Sequence, residues 1–139
     1  MRFLRIISTS LIATSASISD AAAQDAYLCI PDASTGFTFN STSKAWEVAR
    51  FTVANRRYVM RSQGAAWSWS EMGDPHQDKC DAITQYGFVN CGGIIEIRFN
   101  KNTLRYQRWM TIGYVMSERN AASEGSNTPF LEIGRCSPI

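Results

Sequence analysis

The 139-residue chain predicts an all-β fold: a small antiparallel meander that closes as a barrel or a sandwich and is stapled by disulfides. Three observations carry this. Apolar residues come in short runs bounded by Gly, Asn, Asp, Ser and Pro. No long stretch of residues 24–139 repeats its apolar positions at the 3.6-residue spacing of a helix. All four cysteines fall in that same region, an even count that reads as two bridges in an exported domain of this size.

Export is read from the first 23 residues, a predicted cleavable signal peptide ahead of a single β domain over 24–139. Arg2 and Arg5 form a positive start, Ile6, Ile7, Leu11, Ile12 and Ala13 an apolar stretch, and Ala21-Ala22-Ala23 an A-x-A cleavage site before Gln24. The apolar stretch is too short and too rich in Ser and Thr to span a bilayer. A mitochondrial transit peptide is the rival reading, because the segment has no acid before Asp20; the alanine exit and the downstream cysteines favour secretion. Cys29 follows Ala26-Tyr27-Leu28 and lacks the small residue that precedes a lipidated cysteine, so no membrane anchor is expected. The predicted location is periplasmic or secreted. Net charge over the whole chain is +2. That near-neutral balance offers no bulk attraction to nucleic acid or to an anionic membrane.

Four cysteines allow three pairings. Cys80–Cys91 closes a short local loop, and Cys29–Cys136 ties the chain ends and constrains the unfolded chain most. The alternatives are Cys29–Cys80 with Cys91–Cys136, and the crossed pattern. Metal binding fails on spacing, with no C-x-x-C and one His in the chain.

The strands follow in order. Tyr27–Ile30 is the first, and Gly36-Phe37-Thr38-Phe39-Asn40 leads through a polar turn to Trp46. Val48–Val53, Tyr58–Arg61, Trp67–Glu71 and Tyr86–Cys91 come next, with Gly73–Lys79 read as a surface loop. The clearest element is the hairpin from Gly93 to Trp109, in which Ile95, Ile97 and Phe99 alternate with polar residues. Asn100-Lys101-Asn102-Thr103 then turns the chain, and Leu104 and Tyr106 alternate with Arg105 and Gln107. Its predicted register places Phe99 against Leu104, Ile97 against Tyr106, and Arg98 against Arg105 on the outer face. The phrase Phe39-Asn40-Ser41-Thr42 echoes Phe99-Asn100-Lys101-Asn102, which points to one hairpin chemistry used twice. Ile112–Ser117 and Phe130–Cys136 complete the strands, and Glu118–Thr128 is a polar loop. Strands recurring at intervals near ten residues suit a closed meander, whose first and last strands would lie side by side.

Candidate sites each have a plainer reading. Trp67 and Trp69 share one strand face and could stack on a sugar ring or anchor a protein partner, or simply fill the core. Arg98 and Arg105, with Arg108 nearby, form the best basic patch for an anionic partner; the plainer reading is a solvated outer face beside Glu96. Basic residues are skewed to Arg, 11 against three Lys, and Arg suits planar bidentate contacts. Asp74, His76 and Asp78 alternate in one loop and resemble a metal site superficially. Glu71 and Asp74 could form an acid–base pair only if the fold brings them together with His76. No catalytic residue, cofactor or metal is assigned.

The phrases Thr128-Pro129-Phe130-Leu131-Glu132-Ile133-Gly134-Arg135-Cys136-Ser137-Pro138-Ile139, Glu96-Ile97-Arg98-Phe99-Asn100-Lys101-Asn102-Thr103-Leu104-Arg105 and Gly36-Phe37-Thr38-Phe39-Asn40 resemble small exported α-proteobacterial proteins of uncharacterised function. The resemblance implies a Gram-negative envelope setting and conveys no activity. A looser comparison is with periplasmic lysozyme inhibitors, also small disulfide-linked β-barrels. Their loop of Ser-Gly followed by an aromatic has only Ser62-Gln63-Gly64 to set against it. The functional expectation is a monomeric, non-enzymatic binding or inhibitory module of the cell envelope, its partner a protein or a small ligand. A lipocalin-like small-ligand carrier is the alternative, and an envelope hydrolase stands behind it.

Overall fold

A computed structural model describes residues 25–115 and 128–139. The predicted signal peptide, residues 1–23, lies outside the described residues, as does the Glu118–Thr128 loop up to residue 127. Nine strands run β1 (Ala26–Asn40), β2 (Ala45–Phe51), β3 (Tyr58–Gln63), β4 (Ala66–Glu71), β5 (Asp78–Cys80), β6 (Phe88–Gly92), β7 (Glu96–Asn100), β8 (Arg105–Met110) and β9 (Phe130–Pro138). β1, β3, β4, β5, β6, β7, β8 and β9 pair in that order, all antiparallel, and β9 pairs back onto β1. Of the two closures open to the sequence, the chain takes the barrel, which leaves no free edge on these eight strands.

β1 is the long element that makes closure possible. Its first half lies between β3 and β9, with Cys29 opposite both Tyr58 and Cys136. A register shift between Pro31 and Ala33 bends it, and its second half runs on to pair with β2. Pro31 and Gly36 hide this continuity from a reading by strand propensity. The bend at the bulge lets one strand serve both the ring and a projecting two-stranded ribbon.

The two hairpins with the repeated phrase are built alike. The Asn40 Oδ1 accepts the backbone N–H groups of Thr42 (2.9 Å) and Ser43 (3.2 Å), and the Asn100 Oδ1 those of Asn102 (2.9 Å) and Thr103 (3.1 Å). Each loop ends on a residue at φ 55°, Lys44 in one and Leu104 in the other. This turn corrects the predicted register. Because the Asn100 side chain organises the loop after it, Asn100 stays in the strand and faces Arg105. Phe99 therefore faces Tyr106, and Arg98 faces Gln107 rather than Arg105.

Two further expectations are corrected. Over its described part the predicted strand Ile112–Ser117 is helical instead: residues Ile112–Val115 form one turn, α1. β8 already has β7 and β9 on its two edges, so the chain leaving Met110 cannot extend the pairing of β8, and Tyr114 packs its ring against Trp46. The predicted loop Gly73–Lys79 overlaps β5, three residues too short to show an alternating pattern.

Inward side chains fill the ring. Trp69, Tyr58, Phe99, Met60, Ile97 and Val89 are almost wholly removed from solvent, and Tyr27, Trp67 and Tyr106 pack around them. Tyr58 stacks on Trp69 with centroids 4.8 Å apart, and Tyr106 lies 5.0 Å from Trp69. The bridges are Cys29–Cys136 and Cys80–Cys91, the pairing favoured from the sequence, each between residues directly opposite on neighbouring strands. Two such bridges fit folding in an oxidising, extracytoplasmic compartment. No helix among the described residues is long and apolar enough to cross a membrane.

Candidate functional site

β9 inverts the usual strand pattern. Glu132, Gly134 and Cys136 face the barrel interior, whereas Leu131, Ile133 and Arg135 face out. The phase is set at Cys136, which has to point inward to reach the fully buried Cys29. Period-2 alternation then carries Glu132 inside and strands two large aliphatic side chains on the surface. Leu131 is 45% and Ile133 49% exposed.

These two belong to a wider outer surface. Trp109 and Thr35 flank Leu131 on β8 and β1, and Gln107 and Ala33 flank Ile133. Further along β1, Phe37 pairs with Val48 of β2. An apolar patch thus crosses β8, β9, β1 and β2, of the kind that marks contact surfaces.

Arginines border it. Arg105 stands directly opposite Arg135 across β8 and β9. Arg135 is held bidentately by Asp32, with its Nε 3.0 Å from Oδ2 and an Nη 3.0 Å from Oδ1. Arg98 donates from Nε to the Asn90 Oδ1 (2.9 Å), and its guanidinium lies 5.6 Å from the centre of the Trp109 ring. Among the described residues Arg105 has no side-chain hydrogen bond or ion pair. The three guanidinium groups share a groove of about 720 Å³ with Phe88, Asn100, Gln107 and Ile133, and Asp32 is its one carboxylate. Arg98 and Arg105, singled out by sequence, do come together; Arg135 and the aliphatic pair were missed.

The barrel mouth is the second concave region, a cavity of about 390 Å³. It gathers Glu71, Asp74, His76 and Asp78 over a floor of Trp69 and Tyr58, with Arg108 on one side. His76 Nε2 is 3.2 Å from the Asp78 Oδ1, and its backbone N–H donates to the Asp74 Oδ1 (2.8 Å). Among the described residues no three of His, Cys, Asp and Glu are placed to hold a metal ion. Trp67 and Trp69 are core side chains, so neither offers an open ring face; only Trp69 touches this cavity.

Beneath the mouth lies Glu132, wholly out of solvent, a residue the sequence reading did not single out. Its carboxylate accepts hydrogen bonds from the hydroxyls of Tyr58 (3.3 Å) and Tyr106 (3.2 Å), and an Nη of Arg56 lies 3.6 Å away. Burial pushes the Tyr58 hydroxyl up to about 12, against a lowering by Arg108. Burial and then the Glu132 carboxylate push Tyr106 upward in the same direction. The group is a satisfied polar plug that ties β3, β8 and β9 together inside the ring.

Fold and surface together define a disulfide-stapled, closed eight-stranded antiparallel barrel with a projecting ribbon and an arginine-lined outer groove. No protein-family model matches the chain, and neither a curated protein nor a solved structure does.

Proposed function

We propose that this protein is an exported, non-enzymatic binding module of the bacterial cell envelope that holds an acidic protein partner against the outer wall of β7, β8 and β9. One observation carries the reading: Arg105 and Arg135 oppose each other in a groove with Arg98, beside the outward Leu131 and Ile133. Like charges placed directly across a strand pair cost stability. Exposed aliphatic groups cost solubility. An acidic partner with an apolar centre removes both costs, and arginine with aromatic residues is the composition of contact hot spots.

The test is capture from envelope extract by the disulfide-intact domain, followed by Arg98→Glu with Arg105→Glu. One stoichiometric protein should be retained by the parent and by an Arg61→Glu control on the distant β3 wall, and lost with the double reversal. Retention that ignores the groove charges, or no retained protein at all, sinks the proposal. Weakening at high salt is expected as well.

The mouth supports a second reading, a small-ligand carrier, because its cavity is aromatic below and polar at the rim. A hydrolase reading uses the same cavity, where Glu71, Asp74 and His76 converge. Saturable tryptophan quenching by a sugar or apolar ligand, abolished by Arg108→Ala, would move the ligand site from the outer wall to the mouth.

A further inference from the structure

Among the described strands β2 is the one outside the ring. Among the described residues its only strand neighbour is β1, so its other edge carries backbone groups with no ladder partner. We propose that two copies of this chain join edge to edge through β2, antiparallel and centred on Val48, giving a dimer in place of the monomer expected from sequence. The proposal is independent of what occupies the arginine groove.

The phase of the ribbon decides which backbone groups are free. The Phe37 N–H donates to the Pro129 carbonyl (3.0 Å), away from β2. Phe37 and Val48 are therefore a non-hydrogen-bonded pair, and the Val48 N–H and C=O point away from β1. The Ala49 carbonyl fits this phase, since it accepts the Thr35 hydroxyl on the β1 side (3.0 Å). Trp46, Val48 and Arg50 thus present their peptide groups to the open edge.

In an antiparallel pair of identical strands related by a twofold axis normal to the sheet, each residue faces one of like parity. Full overlap of Ala45–Phe51 places Val48 against the second copy's Val48 and Trp46 against the second copy's Arg50. All the outward peptide groups are then in phase, giving about six backbone hydrogen bonds. Val48 is 79% exposed in the single chain and would cover its counterpart. Each guanidinium would lie beside an indole, a favourable cation–π arrangement. Full overlap also pairs the most residues, and two of the shifted registers carry a like-charge cost. Sliding by two residues in one direction opposes Glu47 to Glu47, and by four in the other opposes Arg50 to Arg50; like charges directly opposed are destabilising. The edge carries charges at Glu47 and Arg50 but lacks other devices that blunt one: residues 45–51 include no Pro and no Lys, and the β1 pairing runs through them without a bulge. The twofold leaves both outer walls facing the same way, so a dimer would present two arginine grooves to one bivalent partner.

Sedimentation of the disulfide-intact domain over a range of concentrations tests this. A concentration-dependent dimer is expected, weakened at least tenfold by Val48→Pro, which removes an outward N–H and no bond to β1. Independently, Val48→Cys should cross-link across the twofold on mild oxidation far faster than Ile83→Cys, an exposed control outside β2, since all four native cysteines are already paired. A monomer at every concentration, a dimer indifferent to Val48→Pro, or cross-linking at Val48 no faster than at Ile83 overturns the proposal. Should Val48→Pro fail to fold, the cross-linking rates decide alone.

Discussion

Cys136 and Glu132 lie on the same inner face of β9, so the bridge that closes the barrel also draws a carboxylate into its interior. The cost of burying Glu132 is offset by two tyrosine hydroxyls and Arg56. The complementary cost, Leu131 and Ile133 in solvent, is paid for only if something covers them.

The two bridges should differ in worth. Cys29–Cys136 spans a sequence separation of 107 and Cys80–Cys91 one of 11. The chain-entropy model assigns about 5 kcal/mol to the first and about 3 kcal/mol to the second. Urea melts of the paired Cys→Ser variants should rank them in that order. Full reduction should destabilise the domain more than either pair alone, and equal stability with and without reductant would remove the argument for an oxidising compartment.

The plug should show itself in alkali. Tyr58 and Tyr106 are raised above the ordinary tyrosine value, so the folded state favours their neutral forms. Their contribution is complete below about pH 10, the unfolded tyrosine value, and is lost as pH climbs from there through about 12, the folded value for Tyr58. Ultraviolet titration should find two phenols ionising late, together with unfolding. Tyr106→Phe should remove one late phenol and cost about 1–3 kcal/mol, because Glu132 keeps its burial and loses a donor.

Gly134 tests closure without touching charge. A Cβ there would meet the Ile30 carbonyl oxygen, the Tyr106 ring, and the Pro31 Cα at 2.8 Å. Two of the three belong to the backbone of β1, which the ring holds in place. Gly134→Ala should therefore destabilise by roughly 1–3 kcal/mol in thermal melts, as overpacking does.

Arg105 should trade stability against binding. It faces Arg135 and, among the described residues, has no side-chain hydrogen bond or ion pair of its own. Arg105→Gln should leave the isolated domain as stable or raise its Tm by about 1 °C. The same change should weaken capture of the partner several-fold. A variant that lost stability and kept capture would show that the groove is a solvated face and nothing more.

Much of the fold was readable in residues alone. The Asn40 and Asn100 turns follow from local chemistry, since an asparagine carboxamide oxygen can accept the backbone N–H groups two and three residues on. Cys80–Cys91 follows from proximity along the chain. The errors lie where local pattern and neighbours disagree. Ile112–Ser117 has strand composition, but it follows a strand, β8, whose two edges are already taken. The hairpin register was misplaced by treating Asn100 as part of its loop. Arg98 and Arg105 were recognised as a patch, yet the third member, Arg135, lies in a strand whose facing cannot be read from its own residues.

That facing separates what the sequence determines from what the tertiary structure decides. Alternation along Phe130–Cys136 specifies two faces, one of Phe, Glu, Gly and Cys and one of Leu, Ile and Arg, and burial of apolar groups alone does not choose between them. Ring closure makes the choice. Cys29 is fully inside, its partner must meet it there, and a strand with a period of two cannot turn Cys136 inward without turning Glu132 with it. Composition and spacing therefore determine an all-β, doubly bridged chain, and the meeting of its two ends decides which residues are left to face a partner.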